Sequence, residues 1–259
     1  MKKLQSGDKV ALALGGGAVL GAAHIGVLKA FHEYDVEICA IGGTSIGALF
    51  AALHAFGLNP KEIQKFATDL DWLDISGLSL SKFGLLSNEK LGESFKAAVG
   101  DVDFADANVP LAVVATDIGN GKKVVFTKGK VAPAIMASSC VPGIFVPVEI
   151  DDRLLVDGGL VENVPLSALR ELVDDRVVGV DLNARRQYRA PDDIIDVLGN
   201  ALDVAIDNAT RMQTEKADLV ICPELSAYSR TDKGRIKDLV EEGFDAAQKL
   251  VEGKQRSER

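Results

Sequence analysis

Short apolar segments that end in glycine turns alternate with longer segments of helical periodicity along this chain. Residues 9–14 are apolar and end in three glycines, and residues 22–34 then carry apolar side chains at helical spacing. Residues 36–41 end in two glycines before the Ala/Leu-rich segment 45–56. The pattern continues towards the C-terminus and predicts an α/β fold: a mostly parallel sheet with helices on both faces.

Composition excludes several classes of function. The net charge of −9 and the pI near 4.9 argue against nucleic acid as a partner and against electrostatic docking on anionic lipid. Any membrane contact would therefore be apolar and transient. Cys39, Cys140 and Cys222 are far apart in the sequence, which predicts a reducing compartment, no disulfide and no zinc site.

Chain-wide features predict a cytoplasmic protein with one domain. No repeat or linker divides residues 1–259, and the polar tail 253–259 is expected to fray. Residues 1–9 lack the pattern of a signal peptide, and no apolar run reaches the ~18 residues of a spanning helix. The sequence predicts no metal or organic cofactor, and it does not predict the oligomeric state.

A serine lies at the second strand-to-helix turn, where residues 43–47 read Gly-Thr-Ser-Ile-Gly. A sharp turn of this kind mounts a nucleophilic serine, and Gly43 and Gly47 would remove collisions around Ser45. The helix N-terminus there favours developing negative charge. No histidine follows His54, so a downstream imidazole cannot be the base. Tight strand–helix packing alone would also explain the two glycines.

The glycine loop Gly15-Gly16-Gly17-Ala18 opens the first helix, and its N–H groups could hold an oxyanion. A dinucleotide loop is the competing interpretation, but G-x-G-x-x-G fails in both registers. Asp157 ends a short apolar segment and precedes Gly158 and Gly159, which makes it the candidate base for the serine. Asp-Gly-Gly by itself is also an ordinary turn.

Taken together, these residues resemble the patatin-like phospholipase family, in particular small bacterial members related to the catalytic domain of neuropathy target esterase. The segments that carry the resemblance are 12–28 (LALGGGAVLGAAHIGVL), 41–49 (IGGTSIGAL), 137–147 (ASSCVPGIFVP) and 153–165 (RLLVDGGLVENVP). The resemblance implies a three-layer α/β/α fold and a serine acyl hydrolase with a Ser–Asp dyad. Ser45 would be the nucleophile, Asp157 the base, and the loop from Gly15 to Ala18 the oxyanion hole. The substrate would be an acyl-ester lipid, a glycerolipid or lysophospholipid.

In the family, the glycine loop commonly reads G-G-G-G-x-R-G, and this chain departs from that pattern. Ala18 replaces the fourth glycine and Leu20 the arginine. An alanine at positive φ would be strained, and the lost guanidinium removes a fixed charge. A catalytically weak or inactive acyl-lipid-binding protein is therefore the alternative, and a nucleotide-binding protein is a third class.

Other conspicuous residues receive structural interpretations. His24, His32 and His54 are expected to be helix-packing or surface residues. The arginines at 185, 186 and 189 are expected to lie in a solvated loop. The apolar stretch 71–95 is expected to pack on the core, with a mobile flap for acyl chains as the other possibility.

Overall fold

The computed structural model of this protein describes residues 3–70, 77–81 and 84–252. Most of residues 71–83, the first part of the apolar stretch 71–95, lie outside the described residues. The tail 253–259 lies outside them as well. The strands are β1 (Leu4–Gln5), β2 (Lys9–Leu14), β3 (Glu37–Thr44), β4 (Gly77–Ser81), β5 (Gly84–Ser87), β6 (Leu111–Asp117), β7 (Lys122–Phe126), β8 (Val148–Ile150), β9 (Arg153–Asp157), β10 (Arg176–Val180), β11 (Leu219–Ile221) and β12 (Val251–Glu252). The helices are α1 (Ala22–Glu33), α2 (Ile46–Ala55), α3 (Pro60–Asp69), α4 (Glu89–Val99), α5 (Val131–Ser138), α6 (Gly159–Glu162), α7 (Leu166–Arg170), α8 (Ile194–Thr214) and α9 (Ile236–Gln248).

The central sheet has the order β11-β10-β2-β3-β6-β9-β8, and β7 also pairs with β6. The pairs from β11 through β6 are parallel, whereas β7, β8 and β9 join in antiparallel pairs. The predicted α/β fold with a mostly parallel sheet is therefore confirmed.

Strand β2 shows why helices cover both faces. Its side chains alternate, as they must in a strand. Val10, Leu12 and Leu14 belong to the main core cluster, which includes residues of α1, α2 and α9. Ala11 and Ala13 pack on the opposite face in a second cluster with residues of α7. Both faces of the sheet are thus buried under helices, and the architecture is a three-layer sandwich.

Strand β6 brings the ends of two other strands together. Thr44, the last residue of β3, pairs with Val114, and Asp157, the last residue of β9, pairs with Ala115. Strand β7 pairs with the same two β6 residues. Because a strand has only two edges, β3 and β9 must share the edge opposite β7. The residue that follows β3 and the residue that ends β9 consequently meet at one point.

Helices α1 and α9 pack with their backbones in close approach. A Cβ atom on Gly243 would lie 1.9 Å from the Ala23 carbonyl oxygen, and one on Gly26 would lie 1.9 Å from the Val240 carbonyl oxygen. These two glycines therefore allow a helix contact that larger residues would prevent.

The sequence did not predict helix α3. Pro60 reads as a stop after α2, but it is the first residue of the next helix. Its missing N–H costs nothing there, and the Asn59 side chain accepts from the N–H groups of Lys61 and Glu62. Among the described residues, no helix combines the length and hydropathy that crossing a membrane requires.

Candidate active site

Ser45 occupies the turn between β3 and α2 in a strained conformation. Its backbone has φ 55° and ψ −128°. Positive φ is unfavourable for a residue with a Cβ, and such strain concentrates at functional sites, where it costs about 1–3 kcal/mol. As the N-cap residue, Ser45 stands where the first N–H groups of α2 lack partners within the helix.

The two glycines of the turn allow it to be this tight. A Cβ atom on Gly43 would lie 2.2 Å from the Gly47 carbonyl oxygen, and one on Gly47 would lie 2.2 Å from the Leu14 carbonyl oxygen. These are the collisions that the sequence analysis expects around Ser45. Strand β2, the turn and α2 therefore touch through backbone atoms.

Asp157 lies at the same end of the sheet, and its carboxyl group interacts with the Ser45 hydroxyl. The N–H of Gly159 donates to Asp157 Oδ1 at 2.8 Å, which fixes the carboxyl group. A Cβ atom on Gly158 would lie 2.2 Å from the Val114 carbonyl oxygen, so the chain must pass β6 without a side chain. The structure thus brings together two residues that are 112 positions apart in the sequence.

Burial raises the pKa of Asp157 to about 6. Desolvation of the carboxylate is the main cause, and it outweighs the Gly159 N–H, the Ser45 hydroxyl and the more distant Arg230, all of which lower the pKa. A pKa close to neutral suits a general base, because the group is ionised at pH 7 and still takes up a proton readily.

Two N–H groups of the glycine loop are already bonded. The Gly15 N–H donates to the carbonyl oxygen of the last residue of β10 at 3.1 Å. The Gly16 N–H donates to Asn163 Oδ1, also at 3.1 Å. The N–H groups of Gly17 and Ala18 have no acceptor among the described residues. Of the four loop residues singled out by the sequence, only these two offer a backbone donor to a ligand.

Asn183 fixes the direction of one of those donors. Its Nδ2 donates to the Gly16 carbonyl oxygen at 2.9 Å. In a trans peptide the carbonyl and the following N–H point in opposite directions. The Gly17 N–H therefore points away from Asn183.

His24 supports the loop from beneath. The side chain is fully buried, and Nε2 lies 2.7 Å from the Gly15 carbonyl oxygen. Desolvation lowers the His24 pKa to about 4, so the ring is neutral at pH 7. Because a carbonyl only accepts, Nε2 carries the proton and donates. The sequence placed His24 in a packing role, and the structure adds this hydrogen bond.

The departures from the family lie at the edge of the site. Ala18 has φ 52°, the conformation in which an alanine is strained. Leu20 is 5% exposed and lines a cavity of about 540 Å³ beside the loop.

The arginine-rich segment forms part of the wall of that cavity and is only partly solvated. Arg186 is mostly buried and pairs with Asp203 at 2.5 Å and with Asp207 at 3.1 Å. Arg230 forms a second pair with Asp203 at 2.9 Å. The expectation of a solvated loop is therefore wrong for Arg186, because two carboxylates compensate for its burial.

Comparison with known proteins identifies the family. A model named Patatin-like phospholipase matches residues 12–170, which include Ser45, Asp157 and the glycine loop. The chain belongs to the patatin-like phospholipase family. Among the described residues of this family member, no group of three or more His, Cys, Asp or Glu side chains is placed to hold a metal ion.

Several curated relatives of this family member carry neuropathy target esterase names. An uncharacterized NTE family protein of Mycobacterium tuberculosis is 37% identical over 190 residues, which are 72% of this chain and 52% of the relative. Neuropathy target esterase sws of Drosophila melanogaster is 29% identical over 70% of this chain and 13% of the relative. Lysophospholipase NTE1 of Eremothecium gossypii is 28% identical over 71% of this chain and 12% of the relative. The chain thus spans about half the length of the mycobacterial relatives and less of the others.

Solved structures of low sequence identity share the fold. VipD from Legionella pneumophila has a TM-score of 0.63 at 14% identity, over 96% of this chain and 67% of that one. The type III effector protein ExoU has a TM-score of 0.56 at 14% identity, over 95% of this chain and 53% of that one. At this identity the likeness concerns the fold alone.

Proposed function

We propose that this protein is a serine acyl hydrolase in which Ser45 is the nucleophile and Asp157 the general base. The observation that carries the proposal is the convergence of Ser45 and Asp157 at the ends of β3 and β9, where the Ser45 hydroxyl lowers the pKa of the Asp157 carboxyl. Acyl transfer needs a nucleophile, a base and donors for the oxyanion. Ser45 in its strained turn, Asp157 with its raised pKa and the unpaired N–H groups of the glycine loop are the candidates for these three roles.

In the proposed reaction, Asp157 removes the proton from the Ser45 hydroxyl as Oγ attacks the carbonyl carbon of an ester. The negative charge moves to the carbonyl oxygen, where the N–H groups of Gly17 and Ala18 and the first turn of α2 stabilise it. The intermediate then collapses, the C–O bond to the alcohol breaks, and Asp157 returns the proton to the leaving oxygen. Water then attacks the acyl carbon while Asp157 takes its proton, the bond from that carbon to Ser45 Oγ breaks, and Asp157 returns the proton to Oγ as the carboxylic acid leaves.

We infer that the substrate is a carboxylic ester of an acyl lipid, such as a glycerolipid or lysophospholipid. The family and the name of the lysophospholipase relative support this class. The cavity beside the glycine loop is lined largely by charged and polar residues, so it suits the polar part of such a lipid better than the acyl chain. Turnover rates on esters of increasing acyl length test the class, and a preference for acetyl over all longer chains would contradict it.

The proposal predicts the effect of two substitutions. Ser45→Ala and Asp157→Asn should each lower kcat/KM for a p-nitrophenyl ester by about a thousandfold or more, because each removes one partner of the proton transfer. Asp152→Asn is the matched control: Asp152 is exposed, has φ 58°, and asparagine tolerates that conformation. Near-normal turnover by a folded Ser45 or Asp157 variant would refute the dyad.

A weak or inactive acyl-lipid-binding protein is the second candidate. The strained Ala18 and the buried Leu20 in the loop favour it, because both alter the oxyanion site. The two candidates differ in whether Ser45 is chemically activated, and a covalent serine probe measures that directly.

A further inference from the structure

Ser138, the last residue of α5, makes two short hydrogen bonds through its hydroxyl group. Oγ accepts from the Ser45 backbone N–H at 2.8 Å and donates to the Val114 carbonyl oxygen at 2.6 Å. The side chain is fully buried. Because its one proton goes to Val114, the Ser138 oxygen keeps its lone pairs for the Ser45 N–H.

The Ser45 N–H would otherwise have no partner. Ser45 lies outside both the β3 ladder and the α2 helix, and among the described residues its N–H donates only to Ser138. A partly buried N–H without an acceptor costs free energy, and a strained turn persists only where its surroundings hold it. Ser138, 93 residues away in the sequence, stabilises the turn by accepting this hydrogen bond.

The same segment also holds the candidate base. The Ser138 carbonyl oxygen accepts from the Gly158 N–H at 3.3 Å, and the Cys140 carbonyl oxygen accepts from the Asp157 N–H at 2.8 Å. Segment 138–140 thus makes hydrogen bonds to the backbone N–H groups of both Ser45 and Asp157.

We propose that Ser138 is a positioning residue, which holds the Ser45 backbone so that the serine hydroxyl faces both the Asp157 carboxyl and the bound ester. This inference rests on the proposed function. Among the described residues, the Ser138 hydroxyl bonds neither the Ser45 hydroxyl nor the Asp157 carboxyl. Its loss should therefore slow the chemical step and leave substrate binding and the ionisation of Asp157 unchanged. An error of about 1 Å in the position of a reacting atom lowers rates by up to about a hundredfold.

Ser139 provides a matched control. It is the next residue, and its buried hydroxyl has no hydrogen-bond partner among the described residues. Ser139→Ala therefore removes the same atom as Ser138→Ala and breaks no hydrogen bond.

The experiment compares kcat, KM and the pH dependence of p-nitrophenyl ester hydrolysis in Ser138→Ala, Ser139→Ala and Ser45→Ala. We expect Ser138→Ala to lower kcat about 10- to 100-fold and to keep KM within about twofold of the wild type. The pH at which the rate rises on the acidic side, which reports the ionisation of Asp157, should be the same as in the wild type. Ser139→Ala should stay within about twofold of the wild type. Ser138→Cys, which keeps a weak acceptor, should fall between serine and alanine, and it decides the question if Ser138→Ala does not fold.

Two results would overturn the inference: equal kcat in Ser138→Ala and Ser139→Ala, or a change in Ser138→Ala confined to KM. If Ser138→Ala does not fold, a wild-type kcat in Ser138→Cys would overturn it as well. Ser45→Ala separates this failure from a failure of the proposed function. A wild-type rate in Ser45→Ala would reject the dyad itself, whereas an inactive Ser45→Ala beside a fully active Ser138→Ala would reject only the positioning role.

Discussion

At the scale of single residues, the pKa of Asp157 connects the structure to a measurable rate. The carboxyl group must be ionised to take a proton from Ser45, and burial raises its pKa to about 6. An exposed aspartate titrates near 3.9. The environment of Asp157 should therefore be visible in the pH dependence of catalysis.

We expect kcat/KM for an uncharged ester to rise with pH through a limb near pH 6 and to level off above it. The limb reports the free enzyme, because kcat/KM refers to free enzyme and substrate. Rates measured between pH 4.5 and 8 test this prediction, with circular dichroism at each pH as the control for folding. A limb near pH 4 would mean that Asp157 is solvated in solution, and a flat profile would mean that another group is the base.

Residue-level patterns predicted part of the site. Ser45, Asp157 and the surrounding glycines stand in short contiguous motifs, so the sequence pointed to them directly. Ser138 and Asn183 make their contacts with backbone atoms 93 and 167 residues away. Such contacts leave no spacing signal, and the only pointer to Ser138 is its place in the segment 137–147 that carries the family resemblance.

At the scale of elements, the contact between α1 and α9 depends on two glycines. Glycine inside a helix normally costs about 1 kcal/mol relative to alanine. Here a Cβ atom at Gly243 would lie 1.9 Å from the Ala23 carbonyl oxygen, so the helices would have to separate.

Gly243→Ala should therefore lower the free energy of unfolding by about 2 kcal/mol or more, against the helix propensity of alanine. Gly199→Ala in α8 is the matched control, because a Cβ atom there meets nothing within 4 Å. That control should gain up to about 1 kcal/mol. Denaturant unfolding of both variants measures the difference, and a stabilising Gly243→Ala would show that the two helices are not this close.

Element boundaries were predicted well where periodicity and glycine turns agree, as in β2 and α1. Helix α3 was missed because Pro60 can end or begin a helix, and only the capping by Asn59 decides between them. The register of β6 could not be predicted from the sequence either, because β6 pairs with three strands, β3, β7 and β9. That register determines whether Ser45 and Asp157 meet.

At the scale of the whole molecule, the fully buried His24 and the partly buried His54 contribute stability that is lost in acid. Desolvation lowers the pKa values of His24 and His54 to about 4, whereas the unfolded chain binds those protons near pH 6.5. Their contribution to stability is complete above pH 6.5 and is lost as the pH falls towards 4. Asp157 acts in the opposite direction. Because folding raises its pKa, its contribution is present below about pH 4 and is lost as the pH rises through about 6.

Burial also raises the pKa values of Asp181 and Asp207, so these two carboxyl groups act in the same direction as Asp157. The contribution of one histidine is therefore measured by comparing the change in the free energy of unfolding from pH 6.5 to 4 between a variant and the wild type. His54→Gln should make that change less unfavourable by on the order of 1–3 kcal/mol, because glutamine takes up no proton. His32→Gln, on the exposed side of α1, should alter that change much less, because desolvation lowers the His54 pKa more than the charge of His32 does. Equal changes in all three proteins would contradict the low pKa of His54.

The most direct test of the proposed activity is the mass of the intact protein after treatment with a fluorophosphonate, which labels only an activated serine. We expect one adduct per chain, mapped to Ser45, with no labelling of Ser45→Ala and strongly slowed labelling of Asp157→Asn. Folded wild-type protein that remains unlabelled, or that is labelled at another serine, would contradict the assignment of Ser45 as the nucleophile.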